Sequence, residues 1–198
     1  MSFTSTSGRP RVHPSGQPHW LVVSEPKPAA CLRLVCFPHA GGAASAYFPW
    51  ARALAGYPIE VAAAHLPGRD ARITEPPPSD LDAVIDALAG AIEALTARPF
   101  ALFGHSMGAR LAFEVARRLR ERGAAGPAWL FVSGAPAPQL QRVDQALRSI
   151  EDDTAFLAAV AGTYGGVPRI VLEGDHFYLN RARDALLADL VARLRPLL

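Results

Sequence analysis

The feature that most constrains how this sequence can fold is the pentapeptide Gly104-His105-Ser106-Met107-Gly108, set between two different hydrophobic patterns. Phe100–Phe103 before it is continuously apolar, as a buried parallel strand must be. From Met107 to Arg122 the pattern predicts a helix, and Gly123 supplies its stop. A G-x-S-x-G turn carries meaning in this strand–turn–helix setting. Such a turn holds its central residue in a strained backbone conformation. Glycines flank it because side chains there would collide with the neighbouring strand and helix. The turn lifts Ser106 Oγ above a sheet, at the N-terminus of a helix whose dipole favours developing negative charge. Ser106 is the candidate nucleophile.

The rest of the chain alternates in the same way. Leu32–Phe37 and Ile59–Ala64 read as buried strands, Leu130–Val132 and Ile170–Leu172 as shorter ones, and Trp20–Val23 as a candidate first strand. Helical patterns run from about Ala46 to Leu54, across 139–165 and from Arg181 to Leu194. Another follows Pro76–Pro78, where Ser79 and Asp80 signal a helix start and Leu81, Val84, Ile85, Leu88, Ile92 and Leu95 recur at helical spacing. Alternation of this kind argues an α/β fold with a mostly parallel sheet. At 198 residues the chain is expected to form one domain over 20–198. Residues 1–19, rich in Ser, Thr, Gly and Pro, read as a flexible tail.

Charge and cysteine usage narrow the partners. Twenty basic and 18 acidic residues leave a net charge of +2, so no single-sign field points to nucleic acid. No run approaches the ~20 apolar residues of a membrane span, and the N-terminus lacks the apolar stretch of a signal peptide. Cys31 and Cys36 fit neither a disulfide framework nor metal spacing. Both read as reduced core residues of a cytoplasmic protein.

Two further segments complete the chemistry that Ser106 implies. Serine acylation needs two donors aimed at a tetrahedral oxyanion. One is the backbone N–H of Met107. The other comes from a loop after an early strand, and Pro38-His39-Ala40-Gly41-Gly42 follows Leu34–Phe37 directly; the N–H of Ala40 is the candidate. A general base must be neutral near pH 7, which suits histidine. His176, in Gly174-Asp175-His176-Phe177, follows the Ile170–Leu172 strand and precedes the last helix. The other histidines are weaker candidates. His13 and His19 lie in the tail, His39 and His105 shape backbone beside motifs, and His65 ends a strand.

Pro38-His39-Ala40-Gly41-Gly42, Leu66-Pro67-Gly68-Arg69, Gly104-His105-Ser106-Met107-Gly108, Ser133-Gly134-Ala135-Pro136-Ala137-Pro138 and Gly174-Asp175-His176-Phe177-Tyr178-Leu179 occur in that order. Together they resemble the type II thioesterases of polyketide and nonribosomal peptide biosynthesis, from about Trp20 to the C-terminus. Those are stand-alone α/β-hydrolases related to the fatty-acid thioesterases of vertebrates. The resemblance implies an α/β-hydrolase fold and hydrolysis of acyl groups from the phosphopantetheine arm of acyl or peptidyl carrier proteins. It implies Ser106 as nucleophile, His176 as base, and Ala40 and Met107 as oxyanion hole. No metal or redox cofactor is implied.

The chain departs from the family's pattern in one place. Asp153 to Pro168 resembles the first part of a lid, here placed at about 139–168, and Arg169-Ile170-Val171-Leu172 resembles the last strand before the histidine. Between Pro168 and Arg169 several dozen residues of the pattern are missing. With them go a late strand and the loop that bears the triad aspartate, so the expected lid is shortened. Asp175 adjoins His176 and cannot easily turn its carboxylate onto its neighbour's ring. Asp144, Glu151, Asp152 and Asp153 read as a solvated helix face. The triad acid is unassigned, and impaired turnover is expected. Two other readings stay open: a small-molecule carboxylesterase, and a truncated, non-catalytic relative that binds carrier protein. Arg117, Arg118, Arg120 and Arg122 read as a solvated helix end, or as a surface for an acidic carrier protein.

Overall fold

A computed structural model describes residues 20–95, 97–135 and 183–198. Their strands are Leu21–Val22 (β1), Leu32–Phe37 (β2), Ile59–Ala64 (β3), Phe100–His105 (β4) and Trp129–Ser133 (β5). Every residue of β2, β3 and β4 is buried, which requires cover on both faces of the sheet. The order is β1-β3-β2-β4-β5. All pairs are parallel except β1, which lies antiparallel on β3.

Period-two alternation divides the apolar residues between two cores. Leu32, Leu34 and Cys36 face one way, against helices Phe48–Ala53 (α1) and Arg183–Leu194 (α4). Val35 and Phe37 face the other, against Leu81–Glu93 (α2) and Met107–Glu121 (α3). Local signals bound these helices. The Asp80 carboxylate accepts the N–H of Asp82 at 2.9 Å and of Ala83 at 3.2 Å, capping α2, an arrangement worth about 1 kcal/mol. At the end of α3, Gly123 adopts φ 67°. Its N–H reaches Arg120 O and that of Ala124 reaches Leu119 O, each at 3.0 Å, the paired bonds of a glycine-terminated helix.

The topology locates the site. From β2 the chain visits β3 on one side and then returns to β4 on the other. In open parallel sheets the crevice at such a reversal lies beyond the carboxyl ends of the strands, here those of β2 and β4. The opposite edge holds a buried ion pair. Arg33 Nε donates to Glu60 Oε2 at 2.8 Å and its Nη1 to Leu95 O at 2.7 Å, while the Lys27 N–H reaches Glu60 Oε1 at 3.0 Å. Removing either partner would strand a buried charge, at about 3–5 kcal/mol.

Several sequence expectations are adjusted. The first strand is shorter than Trp20–Val23, and β4 runs on through Gly104 and His105. The stretch expected to be helical from about Ala46 opens as a 3-10 turn, Ala44–Tyr47, before α1. Cys36 is fully buried and Cys31 only partly so; both are free. Burial pushes the Cys36 thiol well above its usual pKa. The lid-like segment 139–168, the Ile170–Leu172 strand and the missing late strand fall outside the described residues.

Two members of the arginine cluster of α3 reach across to α2. Arg118 pairs with Asp82 at 2.9 Å and with Asp86. Arg122 pairs with Asp86 at 2.5 Å and Glu93 at 3.5 Å. Two arginines therefore tie α3 to α2. These guanidinium groups, Arg118 first, hold the Asp86 carboxyl below its ordinary 3.8. A depressed carboxyl stabilises the fold above the unfolded value and loses that contribution as pH falls through the folded one. Asp86→Asn should therefore melt below wild type at pH 7, and the gap should close as melting is repeated at pH values progressively below 3.8. A gap independent of pH would show that the ion pairs are not its source.

Candidate active site

β2 and β4 run side by side with Phe37 opposite Gly104, and the chain turns sharply beyond both. Ser106 sits at φ 55°, ψ −117°. Among the described residues only it and Asp70 combine positive φ with a side chain. That backbone costs on the order of 1–3 kcal/mol and persists only where its surroundings enforce it. Here the Ser106 N–H donates to Ser133 O at 2.8 Å, and Ser106 O accepts the Ala109 N–H at 3.0 Å.

The flanking glycines are required by contact rather than by φ. A Cβ on Gly104 would lie 2.1 Å from Gly108 O, and one on Gly108 would lie 2.0 Å from Phe37 O. The first turn of α3 thus presses on the ends of β4 and β2 more closely than any side chain permits. Ser106 occupies the N-cap position of α3, yet its side chain makes no capping bond and the first turn holds no acid. Ser106 is half-buried, and no acid of the helix's own first turn offsets the positive end of its dipole.

The loop after β2 borders this turn. Tyr47 Oη donates to Phe37 O at 2.9 Å where the strand ends. The Gly42 N–H closes on His39 O at 3.0 Å, with Gly41 at φ 75° and Ala40 exposed between them. The His39 ring stands edge-on to that of His105, their centroids 6.0 Å apart. His105 is buried, and its Nδ1 lies 3.1 Å from Ser133 Oγ. Gly134, at φ 61°, leaves room for that ring, since a Cβ there would come within 2.5 Å of His105 Cε1.

Of the residues singled out in the sequence, Ala40, Ser106 and Met107 are thus carried to one edge of the sheet. His176 lies outside the described residues, as do Asp144, Glu151, Asp152, Asp153 and Asp175. Sequence reasoning quoted Ser133 only as the head of a motif and gave it no role; in the structure it touches two consecutive residues of the turn, its carbonyl taking the N–H of Ser106 and its hydroxyl meeting His105. No three His, Cys, Asp or Glu side chains gather as metal ligands among the described residues. A serine hydroxyl at a helix N-terminus, beside a glycine-rich loop, is an arrangement suited to acyl transfer.

Residues 32–173 match the thioesterase domain family. The gramicidin S biosynthesis protein GrsT of Aneurinibacillus migulanus is 40% identical over 154 residues, which is 78% of this chain and 59% of that protein. A probable cadicidin biosynthesis thioesterase of Streptomyces griseus is 40% identical over 172 residues, 86% of this chain and 45% of that one. The chain thus spans about half of the length of these relatives. Among solved structures, the type II thioesterase BorB of the borrelidin biosynthetic cluster superposes with a TM-score of 0.74 at 30% identity, over 90% of this chain and 97% of that one.

The contact argument for the glycines has a direct test. Gly108→Ala should lower unfolding stability by about 3 kcal/mol or more, because backbone rather than a flexible side chain must give way. Gly126→Ala, with no atom within 4 Å of the added carbon, should change it by less than about 1 kcal/mol. Comparable effects in denaturant titrations would remove the close approach as the reason for Gly108.

Proposed function

The chain belongs to the thioesterase domain family and has the α/β-hydrolase fold, and we propose that it hydrolyses acyl thioesters held on the phosphopantetheine arm of acyl or peptidyl carrier proteins. The observation that carries this reading is the strained Ser106, held at the carboxyl edge of the sheet against the N-terminus of α3. The carrier-protein partner is supported by relatives named for gramicidin S biosynthesis and the borrelidin cluster.

In the proposed reaction Ser106 Oγ attacks the thioester carbonyl as His176 takes its proton. The backbone N–H groups of Met107 and Ala40 receive the resulting oxyanion. Collapse breaks the C–S bond, and the thiol departs with the proton from His176. A water, deprotonated by the same histidine, then cleaves the acyl-serine ester and releases the carboxylic acid. The triad acid has no assigned residue in this scheme. Loss of that carboxylate's support for the histidine lowers kcat by about 10⁴ in serine proteases, so slow turnover belongs to the proposal.

Ser106→Ala should abolish hydrolysis of an acyl-carrier protein while leaving the melting transition in place. A fluorophosphonate should label the wild type and not the variant. The kcat/KM for the carrier-bound thioester should exceed that for the matching oxygen ester at least tenfold, about 1.4 kcal/mol. Equal or reversed preference would favour the carboxylesterase reading. A wild type that binds carrier protein but neither labels nor turns over would be a non-catalytic relative.

A further inference from the structure

A loop that donates an N–H to a developing charge has to be held still, since a displacement of about 1 Å costs on the order of 10² in rate. Residues 38–45 do little to hold themselves. They contain two adjacent glycines, the turn bond from Gly42 N–H to His39 O, and exposed backbone at Ala40 and Gly41. Besides the ring contact of His39 with His105, side chains of the segment after β3 bond across this loop. Arg69 Nη1 donates to the carbonyl of Gly42 and, at 3.4 Å, to that of His39, straddling the turn that contains Ala40. The next residue holds the loop further along: Asp70 Oδ1 accepts the Ser45 hydroxyl at 2.7 Å and Oδ2 accepts the Ser45 N–H at 3.1 Å.

Two features mark this grip as more than a chance contact. Asp70 adopts φ 47°, and among the described residues only Ser106 shares positive φ in a residue with a side chain. Strain of this kind concentrates where the surroundings enforce a geometry that function uses. The segment is also anchored at its base. Arg72 is buried, donates to His65 O at 2.7 Å and to Glu75 Oε1 at 2.7 Å, and lies 4.7 Å over the Trp20 ring. The N–H of Gly68 closes the turn on Arg72 O at 2.9 Å. Burial pulls the Arg69 guanidinium below its ordinary pKa, yet an arginine side chain stays charged.

We propose that Arg69 and Asp70 are positioning residues that hold the loop so that the Ala40 N–H meets the oxyanion. The proposal rests on the reading of Ser106 as nucleophile and Ala40 as donor. Neither residue acts on the substrate itself; both act through the loop.

The experiment measures kcat and KM for an acyl-carrier thioester, the rate of inactivation by a fluorophosphonate, and Tm. It compares wild type, Arg69→Met, Arg69→Lys, Asp70→Asn and Ser106→Ala. Arg69→Met should lower kcat about 10–100-fold with KM within about twofold, because the lost interaction belongs to the transition state. Inactivation should slow in parallel, since the phosphoryl oxygen uses the same donors. Arg69→Lys should lose most of the same rate, because its ammonium falls one bond short of the Nη1 position and is more strongly hydrated than a guanidinium; it carries the comparison if Arg69→Met has no thermal transition. Asp70→Asn should lower kcat several-fold. Guanidinium ion, at concentrations that leave Tm unchanged, should restore part of the kcat of Arg69→Met. Wild-type kcat in the folded Arg69 variants would overturn the proposal, as would kcat and Tm falling together with no rescue by guanidinium. An active wild type beside unaffected Arg69 variants defeats this inference alone. A wild type that neither turns over nor labels at Ser106 defeats the thioesterase reading and this inference with it.

Discussion

The architecture around the site depends on one distance of approach. The first turn of α3 lies so near the ends of β2 and β4 that a methyl group at Gly104 or Gly108 would sit about 2 Å from backbone. With the helix pressed this close, the chain between β4 and α3 has room for a single residue, and that residue takes a left-handed backbone. The strain at Ser106 is thus a consequence of packing. Its cost of order 1–3 kcal/mol is set against what the approach secures, the burial of Leu111, Ala112 and Val115 in the same core as Val35 and Leu102. Each large side chain so buried contributes about 1.5–3 kcal/mol.

The two edges of the sheet have different physical characters. At the carboxyl edge the described residues depart from ordinary backbone: Gly41, Gly68, Asp70, Ser106 and Gly134 all have positive φ. Bonds there run largely from side chains to backbone or from backbone to backbone, and they hold loops in shape. The amino edge is closed by charge instead, with Arg33 and Glu60 buried side by side in register on neighbouring strands.

What was legible in the sequence follows the range of the interactions involved. The limits of β2 and β3 were readable because those strands are apolar at nearly every position. The Asp80 cap and the Gly123 stop act within a few residues and leave local marks. The end of β4 was not readable, because its ladder continues through Gly104 and His105 on backbone bonds that ask nothing of the side chains. The elbow's serine and glycines were recognisable by spacing. Ser133 and Arg69 stood in quoted motifs, but their partners, and Asp70 altogether, were not readable, since hydropathy carries no record of which distant carbonyl or hydroxyl a polar group will meet. The α3 arginines show the same limit: their abundance was plain, while their partners on α2 depend on how two helices lie across each other.

Lys27 has a consequence of a different kind. It is the only lysine in the sequence, and its ammonium is engaged with Leu54 O at 2.7 Å, Tyr57 O at 2.9 Å and Ala55 O at 3.0 Å, closing the end of α1. It stands at the amino edge beside Glu60, one strand length, about 20 Å, from the edge that carries Ser106. Apart from the chain's own α-amine, a reagent that acylates amines meets one side chain, at the sheet edge opposite Ser106. A tether or dye attached there would present the serine edge outward in a single orientation. Neutralising that amine would also release the three carbonyls it gathers, so the ease of acylation itself would report how firmly the end of α1 is closed.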